Sequence, residues 1–191
     1  MWEENKNTRL VSGLLIRDLP ILTNYSIKDS FKIFPYSILL TQACDIESHY
    51  KVLSMMGENP LEVNRQFISS VLLCPAFDEE RFQKGEHLTE QFEVKLKTIN
   101  SDQWNPIKNN RNIRFQFLQS NESKIPNLII DFKQYFTVTF SYLESFYNGT
   151  HDKSFILNHM QLMNLSDRLA HYLQRVAIPD SGTVLEQVGL K

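Results

Sequence analysis

The sequence predicts an α+β domain in which a strand-forming region precedes one long helix. Two short apolar runs without helical period, Tyr36–Thr41 and Phe67–Cys74, fit strands buried on both faces. Near the C-terminus, Leu157, Met160, Met163, Leu165, Leu169, Tyr172, Leu173 and Val176 recur at helical spacing. Strands first and helix last is the order of an α+β domain whose helix covers one face or end of a sheet.

The elements follow in order. Residues 1–9 are mostly polar and are assigned to a flexible N-terminus. Leu10–Ile16 reads as a strand in which Gly13 lets the chain bend or another backbone approach. Pro20 demotes Ile21-Leu22 to an edge strand or an irregular connection. Phe34–Gln42 is a strand closed by the polar cluster Gln42-Ala43-Cys44-Asp45. Ile46–Met56 reads either as a short helix or as a bent continuation of that strand, and Gly57-Glu58-Asn59-Pro60 as a loop. Phe67–Pro75 is the second buried strand, stopped by Pro75. Asp78-Glu79-Glu80 opens a short helix through Phe82, because acidic residues suit a helix N-terminus, and Gly85 ends it. Leu88–Leu96 reads as helical, and Asn100–Asn112, with Pro106 and several asparagines, as a loop. Ile113–Leu118 alternates as a half-buried strand. Asn127–Phe132 and Tyr135–Phe140 are β-branched or aromatic and read as strands. Pro179 stops the last helix. The expected organisation is a single domain over 10–179, its sheet over about 10–140 and its helix over about 155–177, with a flexible tail at 180–191.

The composition, 191 residues with 42% hydrophobic and 22% charged, excludes a disordered or fibrous chain. A chain of this length buries enough surface to fold without a metal or disulfide staple. Twenty basic against 22 acidic residues give a net charge of −2, so no overall nucleic-acid footprint exists, although a local basic patch stays open. No apolar run is long enough to cross a bilayer. The stretch Met1–Lys6 is acidic and polar, unlike a signal peptide, so a cytoplasmic location away from membrane is expected. Cys44 and Cys74 lie in apolar segments without CxxC spacing and read as buried, reduced, inert thiols. Nucleotide-loop, hydrolase and metalloprotease patterns are absent, so no cofactor is expected.

The segment Ile38-Leu39-Leu40-Thr41-Gln42-Ala43-Cys44-Asp45-Ile46 resembles a family of uncharacterised bacterial proteins with a Thr-Gln-x-Cys-Asp-Ile strand. Arg114–Leu118, Ile130–Thr137 and Arg175–Pro179 are similar to that family as well. A second resemblance is to PemK/MazF-type toxins, which are SH3-like β-barrels. Gly13-Leu14-Leu15-Ile16, Ile38-Leu39-Leu40-Thr41 and Val71-Leu72-Leu73-Cys74-Pro75 occur in the order of that family's strands. The resemblance implies a partly open SH3-like barrel. Phe34-Pro35 stands where those toxins carry Arg-Pro, so their catalytic arginine has no counterpart at that place.

Four groups of residues could carry chemistry. If the strand runs past Asp45, then Asp45, Glu47 and His49 share one face and could hold a divalent metal or act as a base beside an acid. The plainer reading is a solvated turn, with the Asp45 carboxylate accepting hydrogen bonds at the strand end. Cys44, with no cation or helix N-terminus evident to activate it, reads as structural. Asp131, flanked by Ile130 and Phe132, needs a partner, and Lys133 shares its face if the strand continues. Lys84-Gly85-Glu86-His87 reads as a helix C-cap. Arg111, Arg114, Phe115, Phe117 and Lys124 mix cations with rings, as single-stranded nucleic-acid sites do, although Phe115 and Phe117 more simply form a core face.

The leading expectation is a non-catalytic binding or regulatory module acting on a protein or RNA partner, with Gln42, Cys44, Asp131 and Lys133 as binding residues; a homodimer is left open. The alternative is a toxin-type endoribonuclease using Asp45, Thr41 and Arg114. A metal-dependent nuclease built on Asp45, Glu47 and His49 ranks third.

Overall fold

The computed structural model describes residues 2–5, 8–22, 31–55, 66–120, 124–150 and 155–174. The expected loop at 57–60, the Arg175–Pro179 similarity and the tail at 180–191 lie outside the described residues.

The fold is α+β. Among the described residues, eight strands form one antiparallel sheet: β1 (Trp2–Glu4), β2 (Leu14–Leu22), β3 (Phe31–Leu39), β4 (Ser70–Asp78), β5 (Phe115–Leu118), β6 (Leu128–Asp131), β7 (Phe136–Thr139) and β8 (Phe155–Leu157). Their order is β1-β8-β2-β3-β4-β6-β5, and β7 also pairs with β4. The helices are α1 (Ala43–Met55), α2 (Glu79–Gln83), α3 (Thr89–Phe92), α4 (Ser101–Lys108), α5 (Phe140–Gly149) and α6 (His159–Leu173).

The central strands are buried on both faces, as their unbroken apolar runs predict. Leu15, Ile38, Cys74 and Ala76 face a core closed by Leu165 and Leu169 of α6. Their chain neighbours Leu14, Ile16, Leu39 and Leu73 face a second core closed by Ile46 of α1 and by Phe140 and Leu143 of α5. A third cluster joins Phe34, Phe77 and Ile129 of the sheet to Phe82 of α2, Leu88 just before α3 and Ile107 of α4.

Side-chain links run from β1 to residues that follow β5. The Trp2 indole donates to the Gln119 carbonyl at 3.0 Å, and Lys124 pairs with Glu4 at 2.7 Å. No backbone ladder joins β1 to β5 among the described residues. Trp2 is buried and pairs with Leu157, so this part of the expected flexible N-terminus is a strand.

The first expected strand starts later than its apolar run suggests. Gly13 makes a turn at φ +82°, with its N–H on the Leu39 carbonyl, and β2 begins at Leu14. A Cβ there would lie 3.3 Å from a methyl of Leu162, so α6 also approaches this point closely. Pro20 lies within β2, paired with Ile33 on one side, whereas β8 reaches only Leu14 and Leu15 on the other. Its free flank is what allows proline there.

β6 and β7 are one path broken by a 3-10 turn. From Ala76↔Ile130 to Leu73↔Phe136, β4 advances three residues while its partner advances six. The three extra residues are the turn Phe132–Gln134. Pro75, expected to stop β4, lies inside the strand at this gap, where no β6 or β7 residue pairs with it. Lys133 is therefore on a turn and does not share a strand face with Asp131.

Other boundaries differ for local reasons. The segment Asn100–Asn112 contains helix α4, started by a capping box in which Asn100 and Gln103 exchange side-chain and backbone bonds. α3 stops at Phe92 because Glu93 turns to φ +55°. Residues 155–157 join the sheet as β8, so the last helix starts at His159.

Candidate functional site

The residues nominated from sequence separate into two regions. The first is the start of α1. Here the chain turns into a helix at Ala43, with the Gln42 carbonyl accepting from the N–H groups of Asp45 and Ile46. Of the two readings left open for this segment the helix is the one found, so the strand does not run past Asp45 and the geometry of the metal set is lost. Asp45 and Glu47 are exposed, while His49 is buried and points into the core. The His49 Nδ1 accepts from the Ile68 N–H at 3.0 Å, and its ring lies 4.0 Å from that of Phe140. Burial lowers its pKa, against the opposing charge of Glu144. Among the described residues no group of three His, Cys, Asp or Glu side chains could hold a metal ion.

Cys44 is exposed, contrary to expectation, because it occupies the first turn of α1 rather than a strand. Its thiol lies 3.6 Å from the Gln42 amide oxygen and 3.8 Å from an Asp45 carboxylate oxygen. Asp45 does not cap a strand; it sits in the helix's first turn, where a negative charge suits the dipole. Thr41 is structural, because its hydroxyl accepts from the Leu72 N–H at 2.8 Å and ties the end of β3 to β4.

The second region surrounds Asp131 at the broken strand. Its carboxylate is fully buried and takes a two-point contact from Arg114, Nε to Oδ1 at 2.7 Å and Nη2 to Oδ2 at 2.5 Å. The same Oδ1 accepts from the Lys133 N–H and caps the 3-10 turn. Lys133 thus contributes its backbone, and its side chain is exposed. The Cys74 thiol is buried, as expected, and donates to the Asp131 carbonyl at 3.1 Å. Burial and the Asp131 charge push its pKa well up, which suits an inert thiol. The Asp131 contact raises the pKa of Arg114, whose guanidinium also lies over the Phe115 ring at 4.8 Å.

Among the described residues, no hydrogen bond or ion pair joins Arg114 to Thr41 or Asp45. Phe115 and Phe117 pack against the third core cluster and do not form an open stacking platform.

Arg168 of α6, expected with Asp167 on the helix's solvent face, is half-buried instead. It donates to three carbonyls, Asn110 and Asn112 at 2.6 Å and Phe115 at 2.7 Å, and so holds the segment before β5 against the helix. Its position next to Asp167 in an amphipathic pattern suggests a solvent-facing side of the helix, and only the fold reveals the carbonyls.

A cavity of about 570 Å³ lies between residues 8–12 and α1. Leu10 and Ile46 form apolar wall, and Arg9, Glu47, Tyr50 and Lys51 supply polar groups. The Arg9 guanidinium lies over the Tyr50 ring at 4.9 Å, and the Tyr50 hydroxyl accepts from the Leu10 N–H at 2.9 Å. Desolvation pushes the Tyr50 pKa up. Comparison with protein-family models, with curated proteins and with solved structures yields no match.

Proposed function

We propose that this protein is a non-catalytic binding module whose partner is a protein. The carrying observation is the cleft between residues 8–12 and α1, which is large enough for side chains of an extended segment and offers two cations, Arg9 and Lys51, beside apolar wall. Clefts of roughly 300–1,000 Å³ with mixed walls are the usual form of binding sites. The excess of Arg9 and Lys51 over Glu47 favours a segment carrying an acidic side chain. Of the residues suspected of catalysis, Thr41 and Arg114 support the same reading, because both are engaged in holding strands and turns.

The SH3-like barrel belongs to this proposal as its finer fold reading. It is supported by the two links, Trp2 to Gln119 and Glu4 to Lys124, that run from β1 to residues following β5. A cytoplasmic setting also belongs to it; among the described residues no helix is long and apolar enough to cross a membrane.

Affinity capture from native lysate, with and without nuclease treatment, tests this with the parent chain and an Arg9→Glu/Lys51→Glu variant. Both side chains are exposed, so the variant should fold. A protein retained after nuclease treatment and lost with the variant supports the proposal. Loss on nuclease treatment moves the partner to nucleic acid, and retention by the variant excludes the cleft as the binding surface.

A further inference from the structure

Helix α1 seats on the protein through Ile46, His49 and Val52, its three buried residues, spaced three apart along one face. The outer two are apolar and the middle one is titratable. The His49 Nδ1 accepts from the Ile68 N–H at 3.0 Å, so the proton of the neutral ring lies on Nε2. Rings close it in: Phe140 at 4.0 Å, Phe67 at 4.9 Å and Tyr50 at 6.3 Å.

A second proton cannot enter this site without loss. It would turn Nδ1 from an acceptor into a donor facing the Ile68 N–H, and it would place a charge among rings. Phe67 and Ile68 ahead of β4, and Phe140 of α5, offer no counter-charge. Tyr50 stays neutral, because burial pushes its pKa up. Glu144 of α5 is the charged group that acts on the ring, and it favours the proton, but burial outweighs it and the His49 pKa is lowered. The seat of α1 is therefore complete above an ordinary imidazole value near 6.5 and weakens as the pH falls below it.

The same turns of α1 form one wall of the cleft. Ile46, Glu47, Tyr50 and Lys51 face residues 8–12 across it, and the Tyr50 hydroxyl ties the two walls together by accepting from the Leu10 N–H. Lifting α1 away from Ile68 takes that wall, and the Tyr50 tie, with it.

We propose that His49 is an acid-release latch, whose protonation frees α1 from the segment before β4 and takes apart the cleft beside residues 8–12. Regulation of binding by this latch rests on the cleft being the binding site, whereas the latch itself belongs to the free chain.

Amide hydrogen exchange of the full chain, read by NMR at pH 7.0 and pH 5.0 and corrected for the intrinsic rates, tests it. His49→Asn keeps an acceptor oxygen for the Ile68 N–H and takes up no proton in this range. His87→Phe removes a second buried histidine, and with it that residue's share of any global acid unfolding. The expected result in the parent is a severalfold rise in opening at pH 5.0, for the Ala43–Met55 amides and for Leu10 together, under a ceiling of about 25-fold set by the ordinary imidazole value. His87→Phe should show the same rise, and His49→Asn should stay within about twofold of its value at pH 7.0. If His49→Asn fails to fold, the parent and His87→Phe carry the comparison. A flat response in the parent, a rise in α1 that Leu10 does not share, an equal rise in folded His49→Asn, or a response that disappears in His87→Phe would overturn the latch. No partner is present in the measurement, so these outcomes are separate from whether the cleft binds one.

Discussion

The Arg114 guanidinium and the buried Asp131 carboxylate meet in a two-point contact at the place where β6 breaks from β7. Arg114 precedes β5 and Asp131 ends β6, so the pair joins the outermost strand to the turn that resets the register on β4. The Arg114 carbonyl also accepts from the Phe132 N–H at 3.0 Å. Removing the arginine leaves a buried charge without its cation. Breaking such a pair costs about 3–5 kcal/mol when fully buried. Because 34% of the Arg114 side chain is accessible, screening lowers the expected loss to about 2–4 kcal/mol for Arg114→Met. Urea denaturation checks this, and Arg114→Met combined with Asp131→Asn should lose less than the sum of the single changes.

The two thiols should differ in access. Cys44 is exposed in the first turn of α1, and Cys74 is buried beside the Asp131 carbonyl. A colourimetric thiol reagent should titrate one group per native chain and a second only on unfolding. A Cys44→Ser protein that still reacts promptly would contradict the burial of Cys74.

Stability should fall in mild acid. Burial lowers the His87 pKa to about 4 from an ordinary value near 6.5, with Asp131 opposing the shift. The His49 pKa is lowered as well. Each histidine folds in its neutral form, so its contribution is complete above about pH 6.5. For His87 it is lost as the pH falls towards 4, where the folded protein also takes up the proton. For His87 the loss is about 2–3 kcal/mol across that window. Denaturation at pH 7.5 and at pH 4.5 should show a smaller difference for His87→Phe than for the parent.

Arg168 ties α6 to the segment before β5 through three carbonyls. Arg168→Met leaves those acceptors without their cation, and hydrogen bonds to a charged group are worth about 1.5–3 kcal/mol. Hydrogen exchange should quicken first at residues 110–117, with the β2–β3 ladder little changed.

Leu165 and Leu169 close the core against the sheet. Leu165→Ala should cost about 2–5 kcal/mol, read as a lower Tm. An unchanged Tm would mean that α6 does not cover the sheet.

The apolar runs at Tyr36–Thr41 and Phe67–Cys74 make the central strands legible, because a strand covered on both faces needs no alternation. The helical spacing from Met160 to Leu173 likewise marks α6. The turn into α1 is less legible: Ala43-Cys44-Asp45-Ile46 suits a helix start or a strand end, and tertiary packing of Ile46 and Val52 decides it. The capping box Asn100-Ser101-Asp102-Gln103 is readable, but the asparagines and Pro106 around it suggest a loop. Asp131 stands out as a carboxylate between apolar neighbours. Its partner is not readable, since Arg114 lies 17 residues away and meets it only through β5–β6 pairing.

The most direct test of a non-catalytic module is cleavage of labelled single-stranded RNA and of DNA by the purified chain, with and without Mg²⁺ or Mn²⁺, beside Asp45→Asn. The predicted result is no cleavage by the parent under any condition and a Tm for Asp45→Asn within about 2 °C of the parent's, because the side chain is exposed. Cleavage by the parent that disappears in a folded Asp45→Asn protein would contradict a non-catalytic module.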